Sequence, residues 1–366
     1  MTPFQIDIPQ EAIDDLRERL SRTRWSPQLP GAGWDRGVPV DYLKGLADYW
    51  ANDYDWRKSE AELNQWPQYT TVIDGQTVHF RHIRAERPDA LPLLLMHDNP
   101  GGIIGLLDVL TPLSRDFHIV APTMPGFGFS TPLASTGWTV PRTAALFARL
   151  MSELGYERYG AHGGGGGANL SMELGRTVPE NLAGIHVNAY VTIPSGEVGE
   201  LNEDEQRRMG LIQQFLQTGM GFNVIMSTRP QTISHGLHDS PVGQAAWIVE
   251  KFKEWTDASS ELPEDAFSRD RILTEVSTQW FTGTQGSISQ SYADVSHDPN
   301  AWGPKAPVTV PTAFAVASGD VTVRSLAEQE ANVQRWTEFD RGGAYLALEQ
   351  PDLLIGDLRA FFDGRR

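Results

Sequence analysis

Apolar positions along the chain follow two different spacings. Residues 11–24, EAIDDLRERLSRTR, place Ile13, Leu16 and Leu20 on one face of a helix, with acidic residues early and basic residues late, as the helix dipole favours. From about residue 70 the spacing changes. TVIDGQTVHFRHI alternates around Asp74-Gly75, which predicts a β-hairpin. Short, nearly unbroken apolar runs follow: LPLLLMH (91–97), DFHIVAP (116–122), RYGAH (158–162) and GIHVNAYV (184–191). Strands buried on both faces have this composition, and the intervals between them are long enough for helices. The pattern predicts an alternating α/β sheet, mostly parallel.

Between about residues 195 and 305 the strand runs give way to amphipathic, charged segments. VTVPTAFAVA (308–317) resumes the sheet pattern and PDLLIGDLRAFF (351–362) predicts a closing helix. The organisation expected is an N-terminal extension (1–70), a core in two parts (71–195 and 306–366) and a helical cap between them (196–305). The extension is rich in aromatics: Trp25, Trp34, Tyr42, Tyr49, Trp50, Tyr54, Trp56 and Trp66. These predict a belt that fixes the extension to the core rather than a ligand cage.

Charge and composition narrow the function classes. Lys and Arg number 30 against 47 Asp and Glu, a net charge of −17, which disfavours nucleic acid and anionic membrane as partners. Cysteine is absent, so disulfides, thiolate nucleophiles and Cys-ligated zinc are excluded. No apolar run reaches the ~18 residues of a membrane span, and the first residues do not read as a signal peptide, so a cytoplasmic location is expected.

Five glycines, Gly163 to Gly167, lie between the strand-like RYGAH and the helix-like ANLSMELG (168–175). A sharp strand-to-helix turn lined by small residues is the way an α/β hydrolase lifts its nucleophile clear of the sheet. A glycine-rich turn before a helix can also cradle phosphate through backbone N–H groups. Here no Walker-type lysine follows, and the run lies far from a first βα unit, so the nucleotide reading is disfavoured.

Several stretches carry a more specific signal: IDDLRERLSRTRW (13–25), YWANDYDWRKSEAELNQWPQY (49–69), APTMPGFGFS (121–130), STRPQTISHGLHDSPVGQAAWIVEKF (227–252), TGTQGSISQSY (282–292) and ALEQPDLL (347–354). Through them nearly the whole chain resembles the epoxide hydrolase family of the α/β-hydrolase fold, in the microsomal-type branch with an N-terminal extension. The resemblance implies a mostly parallel central sheet with flanking helices, a mainly helical cap and no cofactor. It also implies an Asp nucleophile in a GGDWG-like elbow, a His base in a GGHF-like turn with a supporting acid, and two cap tyrosines that hold the epoxide oxygen.

At those positions this chain differs. The elbow reads GGGGG, so Gly165 stands for the Asp and Gly166 for the Trp. Ala344 stands for the base in Gly342-Gly343-Ala344-Tyr345, and Phe222 for one tyrosine, whereas Tyr292 matches the other and Asp320 the acid. The HGWPG-like oxyanion loop reads His97-Asp98-Asn99-Pro100-Gly101. Glycine can form no ester and alanine can accept no proton. With both lost, binding and the oxyanion loop leave about 10³–10⁴ over water.

Asp98 has two readings of equal weight: a new acid–base carboxylate beside the emptied elbow, or an N-cap ahead of Pro100. His162 is either a buried structural residue or the partner of Asp98. Trp280 and Phe222 are expected to line the pocket and Tyr345 to fill the volume of the lost imidazole, while Asp320 is either a relic that holds loops by hydrogen bonds or a catalytic base in its own right. His97 and His186 read as structural. The functions considered are non-hydrolytic conversion (cyclisation, dehydration, isomerisation or a pericyclic step) of a largely apolar, oxygenated small molecule in secondary metabolism, silent ligand binding, and epoxide hydrolysis through a relocated Asp98/His162 pair. A homodimer is the assembly left open.

Overall fold

The computed structural model describes residues 1–192, 198–301, 303 and 305–365. Among them are nine strands: β1 (Thr2–Phe4), β2 (Gln68–Ile73), β3 (Gln76–Ile83), β4 (Leu91–Met96), β5 (Phe117–Pro122), β6 (Tyr159–Gly164), β7 (Leu182–Asn188), β8 (Val308–Val316) and β9 (Ala331–Glu338). They form one sheet in the order β1-β2-β3-β5-β4-β6-β7-β8-β9. The first three strands run antiparallel to their neighbours and β5 through β9 are parallel, so the sheet is mostly parallel with an antiparallel edge. The β2–β3 hairpin turns on Asp74 and Gly75, whose φ of 53° and 76° give the paired left-handed residues of a tight hairpin.

The apolar runs bury as their composition requires. Leu93, Leu94, Leu95, Ile119, Val120, Ile185 and Val187 are fully buried, with helices on both faces of the sheet. Two strands had no such signal. β1 is three residues long, and β9, ANVQRWTE, is a half-exposed edge strand that carries polar residues between its apolar ones.

Between β7 and β8 the described residues form helices and loops, with helices at Glu203–Gln214, Gly221–Thr228, Pro230–Asp239, Pro241–Trp255, Arg269–Phe281 and Thr284–His297. The expected boundary at 195/196 lies outside the described residues. The N-terminal aromatics reach this helical block. Trp50 Nε1 donates to Ser277 Oγ at 2.9 Å, Tyr49 and Tyr42 donate to Asp270 (2.8 Å) and Glu264 (2.9 Å), and Trp56 packs edge-on against Phe281 at 4.9 Å. No helix among the described residues is long and apolar enough to cross a membrane.

Register decides where the loops meet. Met96 of β4 pairs with Gly163, and Gly164 pairs with Asn188 of β7. The carboxyl ends of β4, β6 and β7 therefore lie side by side. Gly163 and Gly167 are pressed together there: a Cβ on Gly163 would overlap the Gly167 backbone. Gly45, in the helix Val40–Asn52, has open space around it. Opposite signs follow for the same substitution. Gly163→Ala is expected to destabilise by about 1–3 kcal/mol through overpacking, and Gly45→Ala to stabilise by about 0.5–1 kcal/mol through helix propensity, both read by urea unfolding.

Candidate active site

β6 passes into the helix Gly166–Thr177 through Gly165, whose φ of 50° and ψ of −112° define a sharp elbow. A side chain there would be strained by the backbone conformation alone. The turn is tight because strand end and helix start nearly touch, with the Cβ position of Gly167 2.5 Å from the Met96 carbonyl oxygen.

The loop after β4 brings a carboxyl group to the elbow. Asp98 reaches across, and its Oδ1 accepts a hydrogen bond from the Gly166 N–H at 2.8 Å. A Cβ on Gly165 would overlap this carboxyl group, so Asp98 occupies the volume that a side chain at 165 would enter. Burial pushes the Asp98 carboxyl up to about 6, against amide hydrogen bonds from Gly166 and Asn99 that favour the ionised form. The N-cap expectation is corrected in its target. The next local helical turn begins only at Ile104, and the carboxylate instead meets the N-terminus of the helix Gly166–Thr177 across the sheet, where a helix dipole favours a negative charge.

His97 holds the loop. Its Nε2 accepts from the Met124 N–H at 3.0 Å, which leaves the proton on Nδ1, 2.9 Å from the Asp98 carbonyl oxygen. Burial lowers its pKa to about 4, so the ring is neutral. Asn99 Nδ2 donates to the Tyr292 hydroxyl at 3.3 Å. Tyr292 is pushed up to about 12 by burial, with the Asn99 bond acting the other way and the nearby Asp98 charge adding to the rise.

Beside this loop lies a cavity of about 10 Å³, room for about one water molecule, lined by Asn99, Pro100, Phe222, Met226, Trp247, Ile248, Lys251, Trp255 and Gln285. Phe222 meets Trp255 at 5.6 Å and Tyr292 at 6.0 Å, both edge-on. Lys251 Nζ lies 4.7 Å above the Phe222 ring and is paired with Glu250 and Glu254 at 2.7 and 2.6 Å. A wider groove between the 22–40 segment and the helix Pro241–Trp255 is lined by Arg19, Arg22, Arg24 and Trp25 among others. It shares no residue with the elbow.

The remaining expected residues separate. His162 is not brought to Asp98. Strand pleating turns it to the same face as Gly160, whose Cβ position abuts Phe362, and its Nδ1 lies 3.1 Å from both Nδ1 and the carbonyl oxygen of His186. His186 in turn contacts Asp357 at 3.0 Å, and burial keeps the His162 pKa well below its ordinary value. Trp280 is also corrected. It lies under Arg19, 5.8 Å from the guanidinium, and does not line the cavity.

Asp320 accepts from the Ala189 N–H (2.8 Å) and from the Thr322 N–H and hydroxyl (2.8 and 2.6 Å), tying the loops after β7 and β8 together. Ala344 takes part through its backbone, donating to the Trp255 carbonyl and accepting from Asn188 Nδ2. Tyr345 is buried against Phe252 at 5.2 Å, with a ring carbon 3.4 Å from the Cβ position of Gly101. The cavity residues Trp247, Lys251 and Trp255 were missed. Their four-residue spacing on one helix was the available signal.

A carboxyl whose pKa rises on folding costs stability above that pKa and costs nothing below its ordinary value. For Asp98 the cost is absent below its ordinary value of 3.8 and complete above about 6. Asp98→Asn keeps an acceptor for Gly166 and removes the buried charge. It is expected to stabilise by about 1–3 kcal/mol at pH 8 and by nearly nothing at pH 4, in urea unfolding at both values. An equal effect at both would contradict the assignment.

Comparison with known proteins agrees with the architecture. The family model described as the epoxide hydrolase N terminus matches residues 1–106. A Stigmatella aurantiaca protein provisionally named an epoxide hydrolase is 40% identical over 377 residues, covering 99% of this chain and 84% of its own. Epoxide hydrolase 1 of Sus scrofa is 30% identical over 98% of this chain and 88% of its own. Among solved structures, the Aspergillus niger epoxide hydrolase superposes with a TM-score of 0.89 at 29% identity, covering 100% of this chain and 96% of that one. The juvenile hormone epoxide hydrolase of Bombyx mori gives 0.90 at 26%, covering 100% and 94%. With the sheet order, the elbow and these relatives in agreement, the chain belongs to the epoxide hydrolase family of the α/β-hydrolase fold.

Proposed function

We propose that Asp98 is the working carboxylate of this enzyme and that it converts a largely apolar, oxygenated small molecule, such as an epoxide, by proton transfer without adding water. The reading rests on one observation: the Asp98 carboxyl fills the space of a side chain at 165 and is held there by the Gly166 amide. A carboxylate with a pKa near 6 is a serviceable base at neutral pH. Asp98 takes a proton from a nucleophilic group within the substrate. That group attacks carbon, the C–O bond breaks, the released oxygen takes the proton of the Tyr292 hydroxyl, and transfer of the Asp98 proton back to Tyr292 restores both groups. The formula is unchanged, so the product is a cyclised or rearranged isomer. The side chains of Phe222, Trp247 and Trp255 give the space beside the loop apolar walls.

A second reading is hydrolysis, with Asp98 attacking the epoxide, and the names of the relatives favour it. Against it stands the lack of a free imidazole at the elbow. Both nitrogens of His97 are engaged within the loop, and His162 is turned to His186. An ester on Asp98 would have no base to resolve it.

Turnover of a panel of aryl-substituted epoxy alcohols in ¹⁸O-labelled water separates the two. Isomerised product without label supports the proposal; a diol carrying one ¹⁸O establishes hydrolysis. Asp98→Asn is expected to lower kcat by about 10²–10⁴-fold, and Tyr292→Phe by about 10²-fold. The wild-type rate is expected to rise with pH through about 6 as Asp98 ionises. Unchanged substrate across the panel would instead favour a binding protein.

A further inference from the structure

The wide groove between the 22–40 segment and the helix Pro241–Trp255 encloses about 860 Å³, a volume in the range of sites that take a whole small molecule. Its outer wall, residues 22–39, contains no helix and no strand of the sheet. Two contacts pin that wall to the helix Val40–Asn52. Gln28 Oε1 accepts from the Val40 N–H at 2.6 Å, and Trp34 packs on Tyr42 at 5.1 Å. Trp25 and Leu29 face the groove and stay 37% and 62% exposed, although both are large and apolar.

The charges around the groove do not cancel. Four arginines and three carboxylates line it. Arg19 pairs with Asp15 and Asp239 at 2.8 and 2.9 Å, and Arg22 pairs with Glu18 at 2.7 Å, so all three carboxylates are engaged. Glu250, whose Oε2 lies 3.2 Å from the Cβ position of Gly37, is held by Lys251 at 2.7 Å. Arg24 and Arg36 make no side-chain hydrogen bond or ion pair among the described residues. Four arginines against three carboxylates leave the lining with a charge of +1, on a chain whose net charge is −17. Uncommitted guanidinium groups beside exposed apolar side chains match a molecule with one anionic end and an apolar body. A guanidinium accepts a carboxylate through two parallel hydrogen bonds, so a carboxylate is the anion that fits best.

We propose that this groove is a second binding site, separate from the elbow, for a small amphiphilic carboxylate. Arg24 and Arg36 meet its charge, and Trp25 and Leu29 cover its apolar body.

The test titrates the full chain at neutral pH with 6-fluoro-2-naphthoate and its uncharged counterpart 6-fluoro-2-naphthamide, followed by ¹⁹F NMR. Without a cationic site, the negative charge of the protein favours the amide. The carboxylate is expected to bind about tenfold more tightly, as two exposed ion pairs allow. That preference is expected to shrink to about twofold as salt rises from about 0.02 M to about 0.5 M, because exposed charges are screened. Arg24→Gln combined with Arg36→Gln is expected to abolish the preference and to leave amide binding within about twofold, since the apolar wall remains. Both arginines are exposed, so the double variant is expected to fold. Asp98→Asn is expected to leave both affinities unchanged, so the groove and the Asp98 reading fail separately. Equal binding of the two probes to the wild type, no binding of either, or a preference that survives the double variant overturns the proposal. So does a dimer in sedimentation that the double variant dissociates, which gives the groove to a second copy of the chain.

Discussion

A side chain at residue 165 and the Asp98 carboxyl cannot occupy the elbow together, and the site is organised by that exclusion. Glycine at 165 tolerates the left-handed turn and vacates the space. Asp98 enters it from the neighbouring loop and is met by the first amide of the elbow helix. The two positions act as one unit, since removing the side chain alone would leave a void and adding the carboxylate alone would make a clash. His97 completes the arrangement by pinning the loop to Met124. In the reading proposed above, the carboxylate that the resemblance expects on the elbow comes from the loop above it.

Partner sets divide the buried polar groups into two kinds. Burial would raise Asp357, but bonds from His186, Arg335 and Thr337 outweigh it and hold the carboxyl down near 2. Asp320 has donors on both oxygens, although burial still raises its pKa. Such groups are architectural: Asp357 ties β7 and β9 to the helix Pro351–Phe362, and Asp320 joins the loops after β7 and β8. Asp98 and Glu275 have fewer donors, and burial raises both. Gln285 has an oxygen with no donor at all. Other buried side-chain atoms without a partner lie away from the cavity, on Arg81, Trp138, Tyr159, Arg271 and Ser325. Low local dielectric makes an unmet polar group costly unless a ligand meets it.

Much of the fold was legible because its signals are local. Unbroken apolar runs marked β4, β5, β7 and β8, and Asp74-Gly75 marked the hairpin. The run 351–362 coincides with the helix Pro351–Phe362. β9 escaped because an edge strand needs only one buried face, so polar residues break its pattern. The helical block was read as amphipathic, but the face each helix turns to the cavity was not. Trp280 went to Arg19, and Trp247 and Trp255 went to the cavity.

By itself the sequence determined the family and the elbow, and it puts glycine and alanine where the resemblance expects a carboxylate and an imidazole, because each depends on residue type at a motif position. Tertiary structure alone decided what lies beside those positions. The direction of Asp98 depends on a loop from β4 meeting a helix 68 residues away, and His162 is turned from it by the pleat of β6. The hydrogen bonds that join Glu275, Gln279 and Gln285 depend on two helices meeting at one angle. Contacts of that kind are set by packing across the sheet, which leaves no periodic trace in the order of residues.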